Sequence, residues 1–132
     1  MPSRQRIAIL ALLAAMYLGA RFVGTHLPLS GERGELPVAG ADKLIHALMY
    51  AGLAGLLLAA VSVVRPPSIA AALGVVLLIA AYAAIDEWTQ SWVPTRSADP
   101  SDWAADVAGA SLGAIVFLVA MRIGRRNKAD ES

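Results

Sequence analysis

Long uncharged runs, broken by short polar connections, set the pattern of this chain. Residues 7–20 carry no charge, and Phe22 and Val23 extend the run past Arg21 to about 17 residues, the lower end for a spanning helix. Arg4 and Arg6 precede it. A basic start and an apolar run also describe a cleaved secretory signal. No small-x-small cleavage pattern follows, so a retained helix at about 6–24 is expected. Residues 25–41 (THLPLSGERGELPVAGA) are rich in Gly and Pro and predict a loop. Asp42 is then an expected N-cap for a second helix over about 42–64. Arg65-Pro66-Pro67 breaks that run. Ser68 starts a third helix, over about 68–92. Pro94 ends it, and Asp99-Pro100-Ser101-Asp102 gives a strong start, N-cap then proline, to a fourth helix over about 100–123. The tail GRRNKADES is expected to fray.

Neither 53–64 nor 69–81 offers the polar face that a soluble bundle needs. The pattern therefore predicts an all-α integral membrane bundle of about four transmembrane helices, forming a single domain over 1–132. Composition agrees. Hydrophobic residues are 58% and charged residues 16% of the 132, against about 45–50% and about 25% in soluble domains, and mean hydropathy is +0.61. A net charge of +1 gives no global field for nucleic acid. The chain has no Cys, which removes disulfides, thiolate metal sites and Cys nucleophiles.

Charge placement gives an orientation. With four spans, Arg4, Arg6, Arg65, Arg122, Arg125, Arg126 and Lys128 fall on one side, and Arg21, Arg33, Lys43 and Arg96 on the other. The positive-inside rule makes the first side cytoplasmic, with both termini there. The polar residues that enter helices then belong to the external half, and ionisable groups in membrane helices are functional-site candidates by default. Asp42, His46 and Tyr50 are spaced i, i+4, i+8 on one helical face beside Lys43. Asp86, Glu87 and Gln90 close the third helix. Asp86 and Glu87 are adjacent, so one is expected to face the bundle and the other water. Asp99, Asp102 and Asp106 form a stripe that Gly109 and Gly113 continue. That GxxxG face is expected to let a neighbouring backbone approach and to hold Asp106 against protein. Gly52 and Gly55 are also expected at packing positions.

Three blocks carry a family resemblance: DKLIHALMYAGLAGLL (Asp42, Lys43, His46, Tyr50, Leu53), DEWTQSWVPTR (Asp86, Glu87, Gln90, Pro94, Arg96) and DWAADVAGASLG (Asp102, Asp106, Gly109, Gly113). Over about residues 40–115 the chain resembles the VanZ-like family of small membrane proteins. The resemblance implies a multi-pass protein of the cell envelope. It also links the chain to a family whose founding member is associated with low-level resistance to the glycopeptide teicoplanin. Asp106 stands where the family pattern usually has Asn, so an acid at this depth is expected to be protonated or paired with a cation.

The expected ligand-binding set is Asp42, Lys43, His46, Tyr50, Asp86, Glu87, Gln90, Arg96, Asp102 and Asp106. Arg96 suits a phosphate or carboxylate, or neutralises the acids around it. Trp88, Trp92 and Trp103 are read as an interfacial belt. Three functions compete: binding of a lipid headgroup, glycolipid or glycopeptide; an accessory or structural membrane subunit; and a membrane enzyme acting on a lipid-linked substrate. No HExxH, GxSxG or CxxC is present, so no catalytic residue, resident metal or cofactor is assigned. The expected partners are the bilayer, such a headgroup or glycopeptide, and a second copy through the glycine faces.

Overall fold

The computed structural model of the chain describes residues 3–26, 41–93 and 98–131. Among them the chain forms α1 (Ser3–His26), α2 (Ala41–Ser62), α3 (Ile69–Gln90) and α4 (Pro100–Asp130), and no strand. All four are long and apolar enough to cross a membrane. Their outward faces carry Leu12, Leu48, Leu77, Leu78, Leu112 and Ile115, all exposed. Such a surface belongs in lipid, where the backbone groups of a helix satisfy one another. The protein is a multi-pass membrane protein.

Helix ends follow local chemistry. Ser68 caps α3: its side chain accepts from the Ala71 N–H at 3.2 Å. The far end of α3 tightens into short turns, with Trp92 N–H on the Thr89 carbonyl at 3.1 Å and Val93 N–H on that of Gln90 at 3.0 Å. Asp99 caps α4 and Pro100 occupies the first turn, as the sequence predicts. Asp42 does not precede its helix. α2 begins at Ala41, so Asp42 lies inside the first turn rather than at the cap. α4 also departs from expectation, for it continues through Gly124 to Asp130. RRNKAD contains no breaker, a single Gly costs only about 1 kcal/mol, and Lys128 in the last turn suits the helix dipole. At 31 residues, α4 is about 45 Å long against a hydrocarbon core of about 30 Å, so it projects beyond the bilayer.

α2 packs most extensively on α4. The two run in the same direction, and their contacts descend both helices together: Lys43 meets Asp102, His46 meets Asp106, Ala47 meets Gly109 and Ala51 meets Gly113. A Cβ on Gly109 or Gly113 would overlap the backbone of Ala47 or Ala51, so glycine is what permits the approach. In lipid, where apolar burial supplies little drive between helices, such close contact contributes directly to association. Gly52 and Gly55 do not share this role: nothing lies within 4 Å of a Cβ built on either. Gly55 borders the α2–α4 groove beside Ala51, Gly113 and Phe117, but close approach does not require glycine there. The small core behind the α2–α4 contact comprises Tyr50, Leu53, Ala54 and Leu58 of α2, Ala72, Val75, Ile79 and Ala83 of α3, and Ala110 and Ala114 of α4, with Ala14 of α1. The Tyr17 hydroxyl ties α1 to α2 by donating to the Met49 carbonyl at 2.6 Å.

Candidate functional site

The last turns of α1 and α3 meet the first turns of α2 and α4 at one end of the bundle. Their polar side chains form two layers. The deeper layer centres on Arg21 of α1, which is 4% exposed. One of its terminal nitrogens donates to Asp86 Oδ2 of α3 at 3.3 Å and to Asp106 Oδ2 of α4 at 3.2 Å. Its guanidinium lies over the Tyr50 ring of α2, 4.0 Å from the centroid. One side chain therefore touches the other three helices. Gln90 donates to Asp86 Oδ2 at 3.0 Å, and His46 Nδ1 meets Asp106 Oδ1 at 3.0 Å. An ionised carboxylate only accepts, so this contact puts the proton of a neutral His46 on Nδ1 and turns Nε2 away from Asp106.

The outer layer is half-exposed. Lys43 donates to Asp102 Oδ1 at 2.8 Å and to Asp99 Oδ2 at 3.4 Å. Asp99 also accepts from the Ser101 N–H at 2.8 Å and the Ser101 hydroxyl at 2.7 Å. These Ser101 bonds, with Lys43 beside them, hold the Asp99 carboxyl below the usual carboxylate range. Glu87 sits between the layers. Its Oε2 accepts from the Asp99 N–H at 3.1 Å. Its Oε1 and the Tyr50 hydroxyl are buried and have no hydrogen-bond partner among the described residues.

Of the expected ligand-binding residues, Lys43, His46, Tyr50, Asp86, Glu87, Gln90, Asp102 and Asp106 lie together at this end. Arg96 and the side chain of Asp42 lie outside the described residues. Asp86 and Glu87 correct one expectation. They do part company, but neither faces water: Asp86 turns to α1 and Glu87 to the backbone of α4, at 2% and 6% exposure. Asp106, fully buried, is paired with Arg21 and His46.

Arg21 and His26 are absent from the expected set. His26 Nδ1 lies 3.0 Å from the Phe22 carbonyl, Nε2 lies 2.9 Å from Thr89 Oγ1, and the ring stacks on Phe22. The signal for Arg21 was present in the sequence. Two carboxylates a turn or more inside α3 and α4 demand a cation at matching depth, and Arg21 is the basic residue set inside an apolar run at that end. Trp88 and Trp92 are exposed and pack edge to face at 5.0 Å. Trp103 instead ties α4 to α3, donating to the Ala80 carbonyl at 3.0 Å.

Chemically the end is rich in acceptors. Among described side chains, Asp86, Glu87, Asp99, Asp102 and Asp106 face two permanent cations, Arg21 and Lys43, and two imidazoles. No group of three His, Cys, Asp or Glu side chains with metal-binding geometry occurs among the described residues. The Asp106–His46 pair has the form of an oriented base, but no hydroxyl of a described residue is hydrogen-bonded to His46.

No curated protein matches the chain. No solved structure matches it either. The family model described as VanZ/LLP1 matches residues 6–121, which reaches into all four helices and covers the polar end, and the chain belongs to the VanZ family of membrane proteins.

Proposed function

We propose that this protein is a single membrane domain of the cell envelope whose polar end binds the headgroup of an envelope lipid, a glycolipid or a glycopeptide. Both termini are cytoplasmic in this reading, and the polar end opens on the opposite side. Support for the orientation comes from Arg65, Arg122, Arg125, Arg126 and Lys128 at the far end of the bundle.

The observation that carries the binding reading is Glu87 Oε1. A buried acceptor without a donor costs about 1–3 kcal/mol, more when charged. Native structures rarely keep one without a use for it. The surplus of carboxylates around it favours a ligand group that donates, such as an amine or a hydroxyl. Lys43 and Arg96 suit a phosphate or carboxylate on the same ligand.

The test is retention of phosphatidylethanolamine, of a lipid-linked sugar and of teicoplanin by purified protein, followed by native mass spectrometry. Glu87→Gln should weaken retention about tenfold or more, the range for a hydrogen bond to a charged group. Alanine at Arg96, His46 and Asp102 should weaken it as well. Unchanged retention across all four variants removes the reading.

A second reading is favoured by one specific observation. Arg21 bridges Asp86 and Asp106 across three helices, which suits an accessory subunit whose polar network fixes helix register. A membrane enzyme ranks third, since His46 has an orienting carboxylate but no assigned nucleophile or metal.

A further inference from the structure

The opposite end of the bundle holds a second, differently built recess. It lies where the first turn of α3 meets the last membrane-embedded turns of α4, and its walls include Ser68, Ile69, Leu118, Met121, Arg122 and Arg125. Arg122 and Arg125 are three apart on α4, so they share a face. Neither has an ion-pair partner among the described residues. Arg65 lines a second recess that also includes Ser68, so three arginines border recesses at the start of α3. The backbone adds to the same field. Ser68 Oγ accepts from the Ala71 N–H, which leaves the N–H groups of Ile69 and Ala70 at the positive end of the α3 dipole.

We infer that this recess is a binding site for the phosphate of an anionic phospholipid. Arg122 and Arg125 contact the phosphate oxygens, and the start of α3 backs them. The recess measures about 50 Å³. A water needs roughly 10–15 Å³ of such space, so a phosphate group fits and a whole lipid does not. The rest of the lipid must therefore leave the recess along its apolar wall. Ile69, 60% exposed, with Leu118 and Met121, provides that wall. Charged donors on one side and lipid-facing side chains on the other fit an amphiphile better than free phosphate. This site is independent of the headgroup reading at the polar end, whose residues it does not share.

The experiment uses the full chain in a neutral detergent at physiological salt. It measures retention of phosphatidylglycerol against phosphatidylcholine by native mass spectrometry, with inorganic phosphate as competitor. The expected result is preferential retention of phosphatidylglycerol. Arg122→Gln and Arg125→Gln should each reduce it about fivefold, and the pair about 25-fold, from roughly 1 kcal/mol per basic residue near an anionic surface. Arg126→Gln with Lys128→Gln, which removes two charges that do not line the recess, should reduce it less than threefold. Equal losses in the two double variants would mean diffuse attraction and overturn the site. Equal retention of the two lipids would overturn it too. Displacement by millimolar inorganic phosphate would assign the recess to free anions rather than lipid and sink the lipid assignment. Circular dichroism of each variant confirms that helix content is kept. Arg122→Lys, which retains the charge, should restore most of the binding if loss of charge rather than of fold is the cause.

Discussion

The two ends of this bundle handle charge in opposite ways. At the polar end, cations and carboxylates are interleaved on all four helices and bond to one another, with Arg21 buried at the centre. At the basic end, Arg122 and Arg125 stand exposed on α4 without an ion-pair partner among the described residues. Depth explains the difference. A charge inside the hydrocarbon region must be matched by protein, whereas an arginine at the membrane edge can reach water and headgroups. The polar end should therefore be where structure depends on charge, and the basic end where charge serves surroundings outside the protein.

The harshest break of that contrast is Arg21→Met. It leaves Asp86 and Asp106, both buried, without their shared cation, and removing one partner of a buried ion pair costs about 3–5 kcal/mol. Unfolding in mixed micelles should register a loss of that order. Adding Asp86→Asn and Asp106→Asn to the same chain removes the two buried carboxylate charges that Arg21 balanced and should recover most of it. If Arg21→Met alone is neutral, the deep layer is not held by charge and the comparison fails at its first point.

Next in size is Gly109→Leu, which tests packing without touching a charge. Even a Cβ at this position would overlap the Ala47 backbone, so α2 and α4 must separate. Overpacking of this kind typically costs about 1–3 kcal/mol. It should also disturb the Lys43–Asp102 and His46–Asp106 contacts, which depend on the same register. Gly55→Ala, where an added Cβ meets nothing within 4 Å, should have little effect on the isolated protein.

These residues also mark what could be read from the chain. The spans were legible because uncharged runs of 14 or more residues are hard to place anywhere but in a membrane or a large core. The stripe Asp99, Asp102, Asp106, Gly109, Gly113 was legible because a helical period converts spacing directly into a shared face. Arg21 was not read as part of the site. Its partners are 65 and 85 residues away in sequence, and periodicity within one helix carries no information about which residue of another helix stands opposite. The same limit hid the role of Glu87, since facing a neighbour or water is settled between helices. The end of α4 was misplaced for a different reason. Polar composition suggests fraying, although Arg, Lys and Ala sustain a helix well beyond the bilayer.

At the basic end, Arg122→Gln with Arg125→Gln should leave stability in lipid-free detergent within about 0.5 kcal/mol of the parent, as for surface positions without partners. A loss comparable to that of Arg21→Met would show that both ends are structural.

The smallest expected effect concerns Asp99, at the outer edge of the polar end. The Ser101 hydroxyl and N–H, then Lys43, favour its charged form, so its folded pKa lies below the ordinary value. A carboxyl lowered on folding stabilises fully above the unfolded value, about pH 3.9, and that contribution disappears as the pH falls through the lowered value. The start of α4 should therefore stay closed down to about pH 4 and loosen only below it. Amide exchange at Ser101, Asp102 and Trp103, corrected for intrinsic rates, would report this. Asp99→Asn keeps a good capping side chain without the charge, so its exchange should lack that acid step while matching the parent near neutral pH to within a few fold. An identical acid step in Asp99→Asn would move the titrating group inward, to the carboxylates beneath Lys43, and would tie the outer layer to the deep one instead of leaving it a separate rim.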